Sequence, residues 1–302
     1  MLKVPEHQVA GHIASDGKLG PLVDDQGRFF KPLQGDSRGE HEAKFYESFT
    51  SNKMVPDHIH RYFPVYHGTQ LVEASDGSGK LLHLVLDDVV SGYSNPSVMD
   101  VKIGSRTWYP DVSEGYFKKC IKKDRETTTV SLGFRVSGFK IFDHQESSFW
   151  RAEKKLVLGY NADGARLALR KFVSSNSPAD SNSTPPNCAF ASEVYGGPNG
   201  ILVQLLELKE WFETQTLYHF NSCSILMTYE NESILMKGGD DDVQAARAQV
   251  KLVDFAHVLD GSGVIDHNFL GGLCSFIKFI KDILQSVDKR DETETSPLEN
   301  GN

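Results

Sequence analysis

The sequence predicts an α+β fold, and three observations carry that expectation. Short apolar runs with strand character recur along the chain, at residues 28–33, 81–90, 96–104 and 251–255. Segments with helical spacing lie between them, around Glu42, Phe45, Tyr46 and Phe49 and again over 199–212. Two alternating runs at 130–136 and 139–142, separated by Ser137-Gly138, give a hairpin signal. At 302 residues and 39% hydrophobic content the chain can bury one large core or two packed lobes.

Taken in order, residues 28–33 read as a strand that Pro32 and the glycine-bearing turn at 35–39 bring to a stop. The helix after it places Lys31 and Glu42 as a strand-lysine and helix-glutamate pair, of the kind nucleotide kinases aim at phosphates. A solvated strand lysine is the plainer alternative. Residues 81–90 form a buried strand ending in polar residues. In the run 96–104, Pro-Ser-Val-Met-Asp-Val-Lys-Ile-Gly, alternation puts Asp100 and Lys102 on one face and Val101 and Ile103 on the other. A carboxylate beside an ammonium suits phosphoryl transfer, where one orients the attacking hydroxyl and the other neutralises charge on the moving group. A lone D-x-K pair would otherwise be a strand-edge ion pair.

A helix is expected from near Asp111, with Glu114 three residues on in a capping-box pattern. Along it Lys118 and Lys122, and Lys119 and Lys123, fall at i and i+4 and form two basic stripes. Lys140 projects opposite Phe139 and Ile141, toward the same site. Residues 164–173 continue as a helix with a basic side, and 174–187, rich in Ser, Asn and Pro, read as a flexible insert. Leu202, Leu205, Leu206 and Trp211 read as the core side of the 199–212 helix. The strand at 251–255 delivers Asp254 at its end, where a carboxylate can hold magnesium; helix capping is the bland alternative. Phe276, Ile277, Phe279, Ile280 and Leu284 form the apolar face of a closing helix.

The net charge of −9 is unevenly placed. Asp240, Asp241, Asp242 and the 288–302 tail, expected to be disordered, hold much of the acid, whereas Lys118, Lys119, Lys122, Lys123 and Arg125 cluster just after the D-x-K pair. Local field decides what enters a cleft, so a polyanionic substrate fits this distribution. Cys120, Cys188, Cys223 and Cys274 form no C-x-x-C pair, which argues against structural zinc and a disulfide framework. Neither a secretory signal nor a membrane-spanning run is visible, and the expectation is a soluble intracellular protein.

The pattern P-x-x-x-D-x-K-x-G at 96–104 resembles the signature of the inositol polyphosphate kinase family. The resemblance extends to Ser224-Ile225-Leu226 with Tyr229-Glu230, to Asp254-Phe255-Ala256-His257, and to Asp266-His267-Asn268-Phe269 with Gly271-Gly272-Leu273, covering about 29–284. Cys223 and Ile225 depart from the family's S-S-L-L with little change in volume. The pattern is most similar to the plant multikinase branch. It implies a two-lobed kinase-like fold: an antiparallel-sheet N-lobe at 1–88, then an α+β C-lobe at 89–287 carrying a short helical substrate lid at about 105–129.

By the same resemblance Asp100 and Lys102 are catalytic. Lys31, Glu42, Asp254, His257 and the hinge at Asp87, Asp88 and Val89 bind ATP, and Asp254 holds Mg2+. Lys118, Lys119, Lys122 and Lys140 bind inositol phosphate. The implied activity is phosphorylation of inositol 1,4,5-trisphosphate and tetrakisphosphates at the 6- and 3-hydroxyls toward the pentakisphosphate, by a monomer in nucleus and cytoplasm. Transcription factors are the partner class considered, with no direct nucleic-acid binding. A protein kinase fits poorly: no G-x-G-x-x-G precedes Lys31, no H-R-D follows, and D-F-A-H stands in place of D-F-G. A non-catalytic polyphosphate-binding or transcription-factor scaffold is the competing class.

Overall fold

Alternating apolar residues build two antiparallel sheets in the computed structural model, which describes residues 1–11, 14, 17–33, 37–110, 112–180, 184–230 and 247–295. The first sheet has strand order β1-β2-β4-β3, from β1 (Leu22–Val23), β2 (Arg28–Pro32), β3 (Tyr66–Glu73) and β4 (Lys80–Asp87). Helix α1 (Ser37–Ser51) follows β2, and the single turn α2 (Asp57–His60) precedes β3. The predicted spacing holds, since Glu42, Phe45, Tyr46 and Phe49 are the buried side of α1. Phe45 stacks 4.5 Å from Phe255, and Phe49 lies 4.1 Å from Phe63. That aromatic contact fixes α1, and with it Glu42, against the second half of the molecule.

The second sheet has order β10-β9-β5-β6-β7, from β5 (Ser97–Ile103), β6 (Phe134–Asp143), β7 (Ser148–Arg151), β9 (Ser224–Glu230) and β10 (Arg247–Val253). A small ribbon pairs β8 (Tyr218–Phe220) with β11 (Val258–Asp260). Between the strands run α3 (Glu114–Glu126), α4 (Thr129–Leu132), α5 (Lys154–Leu158), α6 (Ala162–Phe172), α7 (Ala191–Val194), α8 (Ile201–Phe212) and α9 (His267–Thr295). The core side of this sheet packs on helices, as where Phe134 of β6 meets Phe276 and Phe279 of α9 at 5.2 and 5.1 Å. The α+β expectation is met, and the D-x-K strand lies inside this sheet, paired on both sides.

Four local expectations are corrected. Ser137-Gly138 does not turn: β6 runs straight through it, and the extra residue is absorbed as a register shift opposite Asp100 and Val101. Glycine is needed there because the Val9 carbonyl packs on it; a Cβ on Gly138 would sit 2.1 Å from that oxygen. The hairpin lies one step later, between β6 and β7. The lid helix is capped by Ser113, whose hydroxyl accepts from the Tyr116 amide at 3.3 Å, and Asp111 lies outside the described residues. Leu206 is exposed, although Leu205 and Trp211 are buried as expected.

The fourth correction concerns the tail. Residues 288–295 continue α9, because Lys, Arg and Glu propagate a helix once apolar packing has started it; 296–302, like Asp240, Asp241 and Asp242, lie outside the described residues. The 174–187 segment also carries anchors that composition does not reveal. Asn176 and Asn187 bond to each other's vicinity, through Asn187 N to Asn176 Oδ1 at 3.1 Å, and Ser177 Oγ donates to Asp143 at 2.7 Å.

Two glycine-dependent approaches hold the end of β5. Gly104 has φ +113°, a conformation glycine adopts without strain, and a Cβ there would meet Asn268 Nδ2 at 2.6 Å. On α9, a Cβ at Gly272 would lie 2.2 Å from the Gly133 carbonyl and 2.6 Å from the Gly104 nitrogen. The Asp266 to Leu273 motif therefore seats α9 on the end of β5. Asp266 caps the helix through the Phe269 amide at 3.0 Å, and Asn268 Oδ1 accepts from the Ser105 amide at 2.9 Å.

Candidate active site

Between the two sheets lies a cleft of about 650 Å³, enough for a nucleotide's phosphates beside a small polyol. One wall belongs to the first sheet. Lys31 of β2 donates to Glu42 Oε1 and to Asp254 Oδ1, both at 2.9 Å. Glu42 Oε1 also accepts from the Phe255 amide at 3.1 Å, so one buried carboxylate ties α1 to the residue after Asp254. Burial works against the Lys31 charge, but Asp254 and then Glu42 hold its pKa well above the ordinary lysine value. Burial likewise opposes the Asp254 carboxylate, and Lys31 followed by Lys102 outweigh it, drawing the pKa down to about 2. Asp254 has φ +69°, uncommon for a residue with a side chain, which lets it leave β10 and face the cleft.

Asp87, the last residue of β4, and Asp88 and Val89 after it line the same wall. Asp87 holds Arg28 at 2.8 Å and His67 at 2.7 Å, the Asp88 amide donates to Gly27 O at 2.8 Å, and the Val89 carbonyl accepts from Gln249 at 2.6 Å. These bonds fix the backbone path of the hinge. The Asp87 side chain is engaged in that task.

The β5 face supplies the Asp100 and Lys102 pair. Asp100 sits opposite Gly138 and Lys102 opposite Arg135 and Ser224. Lys102 Nζ donates to the Ser222 carbonyl and to Ser224 Oγ at 3.2 Å, and lies 4.0 Å from Asp254 Oδ2. Its charge acts on both the Asp254 and the Asp100 carboxylates. Burial pushes the Asp100 pKa up to about 6, while Lys102 and the Ser224 and Ser137 hydroxyls restrain the rise. Its Oδ1 is buried without a hydrogen-bond partner. That oxygen is placed to accept from a substrate hydroxyl.

The opposite wall is the inner side of α3. Tyr116, Lys119, Cys120 and Lys123 line the cleft. Lys118 and Lys122 do not: they are 73% and 75% exposed and reach back to Glu114 at 2.5 Å and Glu126 at 3.9 Å. The reason is helix rotation. Burying Cys120 and Asp124 turns the 119/123 stripe inward and leaves the 118/122 stripe outside. Lys140 is corrected too. It shares the β6 face with Arg135, but its ammonium is given to the Glu6 carbonyl at 2.9 Å and lies 4.0 Å over the Phe149 ring. It anchors the N-terminal segment, whose residues 7–11 line the cleft.

His257 lines the cleft, held between phenols: Tyr109 OH is 3.1 Å from Nδ1 and Tyr116 OH 3.1 Å from Nε2. Sequence reasoning missed Arg38, Arg135, Tyr109 and Tyr116 as cleft or cleft-supporting residues. Arg135 stands opposite Lys102, a signal that exists only once the strand register is known.

Among the described residues no group of three or more His, Cys, Asp or Glu side chains is arranged to hold a metal. A magnesium ion brought in on a triphosphate needs only one or two protein carboxylates. Lys31 and Lys102 favour the charged form of Asp254, its side chain is 43% exposed and lines the cleft, and its Oδ2 lies 4.0 Å from Lys102, so the donor present fits such an ion. No described helix is long and apolar enough to cross a membrane.

A lysine–glutamate pair between sheet and helix, an aspartate after a strand, and a D-x-K pair across the cleft define a two-lobed phosphotransferase acting on an alcohol. The comparisons are specific. The inositol polyphosphate kinase family model matches residues 83–281. The chain is 93% identical over 301 residues to inositol polyphosphate multikinase beta of Arabidopsis thaliana, covering 100% of both, and 50% identical over 298 residues to a rice multikinase, covering 98% and 99%. A solved inositol phosphate multikinase structure superposes with TM-score 0.68 at 64% identity over 80% of this chain and 99% of that one. A multikinase from S. cerevisiae, solved with ADP and Mn2+, shares the fold at TM-score 0.63 and 20% identity, over 85% and 99%. The chain belongs to the inositol polyphosphate kinase family.

Proposed function

We propose that this protein transfers the terminal phosphoryl group of magnesium-ATP to inositol 1,4,5-trisphosphate and then to tetrakisphosphates, at the 6- and 3-hydroxyls, toward the pentakisphosphate. The observation that carries the reading is the convergence of Lys31, Asp254, Lys102 and Asp100 along one cleft with a cationic wall facing them. Lys31 holds nucleotide phosphate and Asp254 holds Mg2+, which when bound offsets charge between the phosphates. Asp100 orients the attacking hydroxyl and accepts its proton, while Lys102 meets charge on the group in transfer. Lys119, Lys123, Arg38 and Arg135 bind the phosphates already on the ring. The inner stripe of α3 is short and open, which fits acceptors that differ in phosphate number.

The test is incubation of purified protein with ATP and a panel of inositol phosphates, with products resolved by chromatography. Phosphate transfer to the trisphosphate and onward to pentakisphosphate is expected. Binding of inositol phosphates without ATP consumption would leave the scaffold reading standing.

A further inference from the structure

Asp124, at the end of the lid helix, is a buried carboxylate that the reaction just described does not use. It is 2% exposed, and its three contacts come from two residues, Thr107 in the turn after β5 and Arg135 on β6. Oδ2 accepts from the Thr107 amide and Oδ1 from Thr107 Oγ1, both at 2.8 Å. Oδ1 also lies 3.5 Å from Arg135 Nη1 on β6. The Thr107 carbonyl in turn accepts from Ser222 Oγ at 3.2 Å, and the Ser222 carbonyl holds Lys102 Nζ. Arg135 is 4% exposed, lines the cleft, and has a second acceptor on the same nitrogen, Thr129 Oγ1 at 2.7 Å. Its Nε is buried with no hydrogen-bond partner. One edge of the guanidinium is thus fixed by two acceptors, and another is kept unsatisfied beside the cleft.

We propose that Asp124, assisted by Thr129, is a positioning residue that aims the Arg135 guanidinium at a phosphate of the inositol substrate and locks the lid helix to the end of the catalytic strand. An isolated buried guanidinium loses hydration, and burial pulls down the Arg135 pKa while Asp124 opposes that fall. The carboxylate therefore keeps the cation in place before substrate arrives. Its two oxygens also make the lid helix, the turn after β5 and β6 move as one body, so the distance between Lys119 or Lys123 and Arg135 is set in advance. A bound polyphosphate then meets a pre-arranged set of cations instead of ordering them. The inference rests on the proposed placing of substrate phosphates at Arg135.

The experiment compares steady-state kinetics of Asp124→Asn, Thr129→Val and Arg135→Gln with the unmodified full chain, using ATP and inositol 1,4,5-trisphosphate. Asparagine retains both Thr107 links, with the hydroxyl turned to accept, and puts a neutral NH2 donor where the carboxylate oxygen faced Arg135. Arg135→Gln is expected to raise KM for the trisphosphate about 10-fold to 100-fold. Asp124→Asn should raise it about 10-fold and Thr129→Val by about 3-fold to 10-fold, with KM for ATP within about 2-fold in all three. A purely structural role would instead lower kcat with the folded fraction and leave both KM values alone. An unchanged trisphosphate KM in Asp124→Asn, with the Arg135→Gln effect present, overturns the proposal and leaves the substrate site intact. No effect in Arg135→Gln overturns both. Should Asp124→Asn not fold, Thr129→Val decides, and an unchanged KM there overturns the proposal.

Discussion

The nucleotide wall and the substrate wall of the cleft are built differently. On the first, Lys31, Glu42 and Asp254 are locked together at 2.9 Å, each charge satisfied by a neighbour before any ligand binds. On the second, Lys119, Lys123 and Arg135 are cations crowded together: burial, then Arg135, Lys102, Lys154 and Lys119, draw the Lys123 pKa down to about 8. Asp124 offsets part of the Arg135 charge, and a bound anion would relieve the repulsion that remains. The comparison teaches that one wall is finished by the protein and the other is finished by its polyanionic substrate.

Breaking the shared centre should cost most. Asp100→Asn or Lys102→Ala is expected to lower kcat by about 100-fold to 1000-fold with ATP binding close to normal, because each acts on charge that develops only during transfer. Near-normal turnover in either variant would remove the residue from the mechanism. Asp254→Asn is directed at the nucleotide wall alone. Calorimetry should show magnesium-ATP affinity reduced by at least about 10-fold with metal-free inositol phosphate binding retained, and normal affinity would move the metal to another carboxylate.

Two pH effects sharpen the contrast with smaller amplitudes. Asp100 must be ionised to take a proton, so kcat should fall as pH drops through about 6. Ser224→Ala removes a hydroxyl that favours the carboxylate and should move that limb upward; a limb that stays put would separate it from Asp100. At the other end, Lys123 loses its proton above about 8 in the free protein, so KM for inositol phosphate should rise on the alkaline side while KM for ATP stays flat. A parallel rise in both would assign the alkaline limb elsewhere.

The same contrast explains what could be read from the sequence. Lys31, Glu42, Asp100 and Lys102 lie on strands and on a helix whose buried faces are set by apolar spacing, so their directions follow from local pattern, and Asp254 is placed by the end of the strand before it. The lid residues depend on how far a helix is rotated about its axis, and two lysine stripes one residue apart look equivalent until Cys120 and Asp124 are known to be buried. Arg135 and Lys140 depend on a strand register that a bulge at Ser137 shifts, and a dipeptide that reads as a turn locally is overridden by pairing on both sides. Nothing in the composition of residues 5–11 marks them as part of the cleft, because Lys140 and Gly138, more than 120 residues away, hold them there.

The most direct test compares Lys119→Ala/Lys123→Ala with Lys118→Ala/Lys122→Ala, measuring KM for inositol trisphosphate and for ATP at two ionic strengths. If the inner stripe completes the substrate wall, the first double variant should raise KM for the trisphosphate by about 10-fold to 100-fold, leave KM for ATP unchanged, and lose most of the salt sensitivity of the unmodified protein. The second should stay within about 2-fold of it throughout. Equal effects from the two pairs, or a larger one from Lys118 and Lys122, would contradict the account.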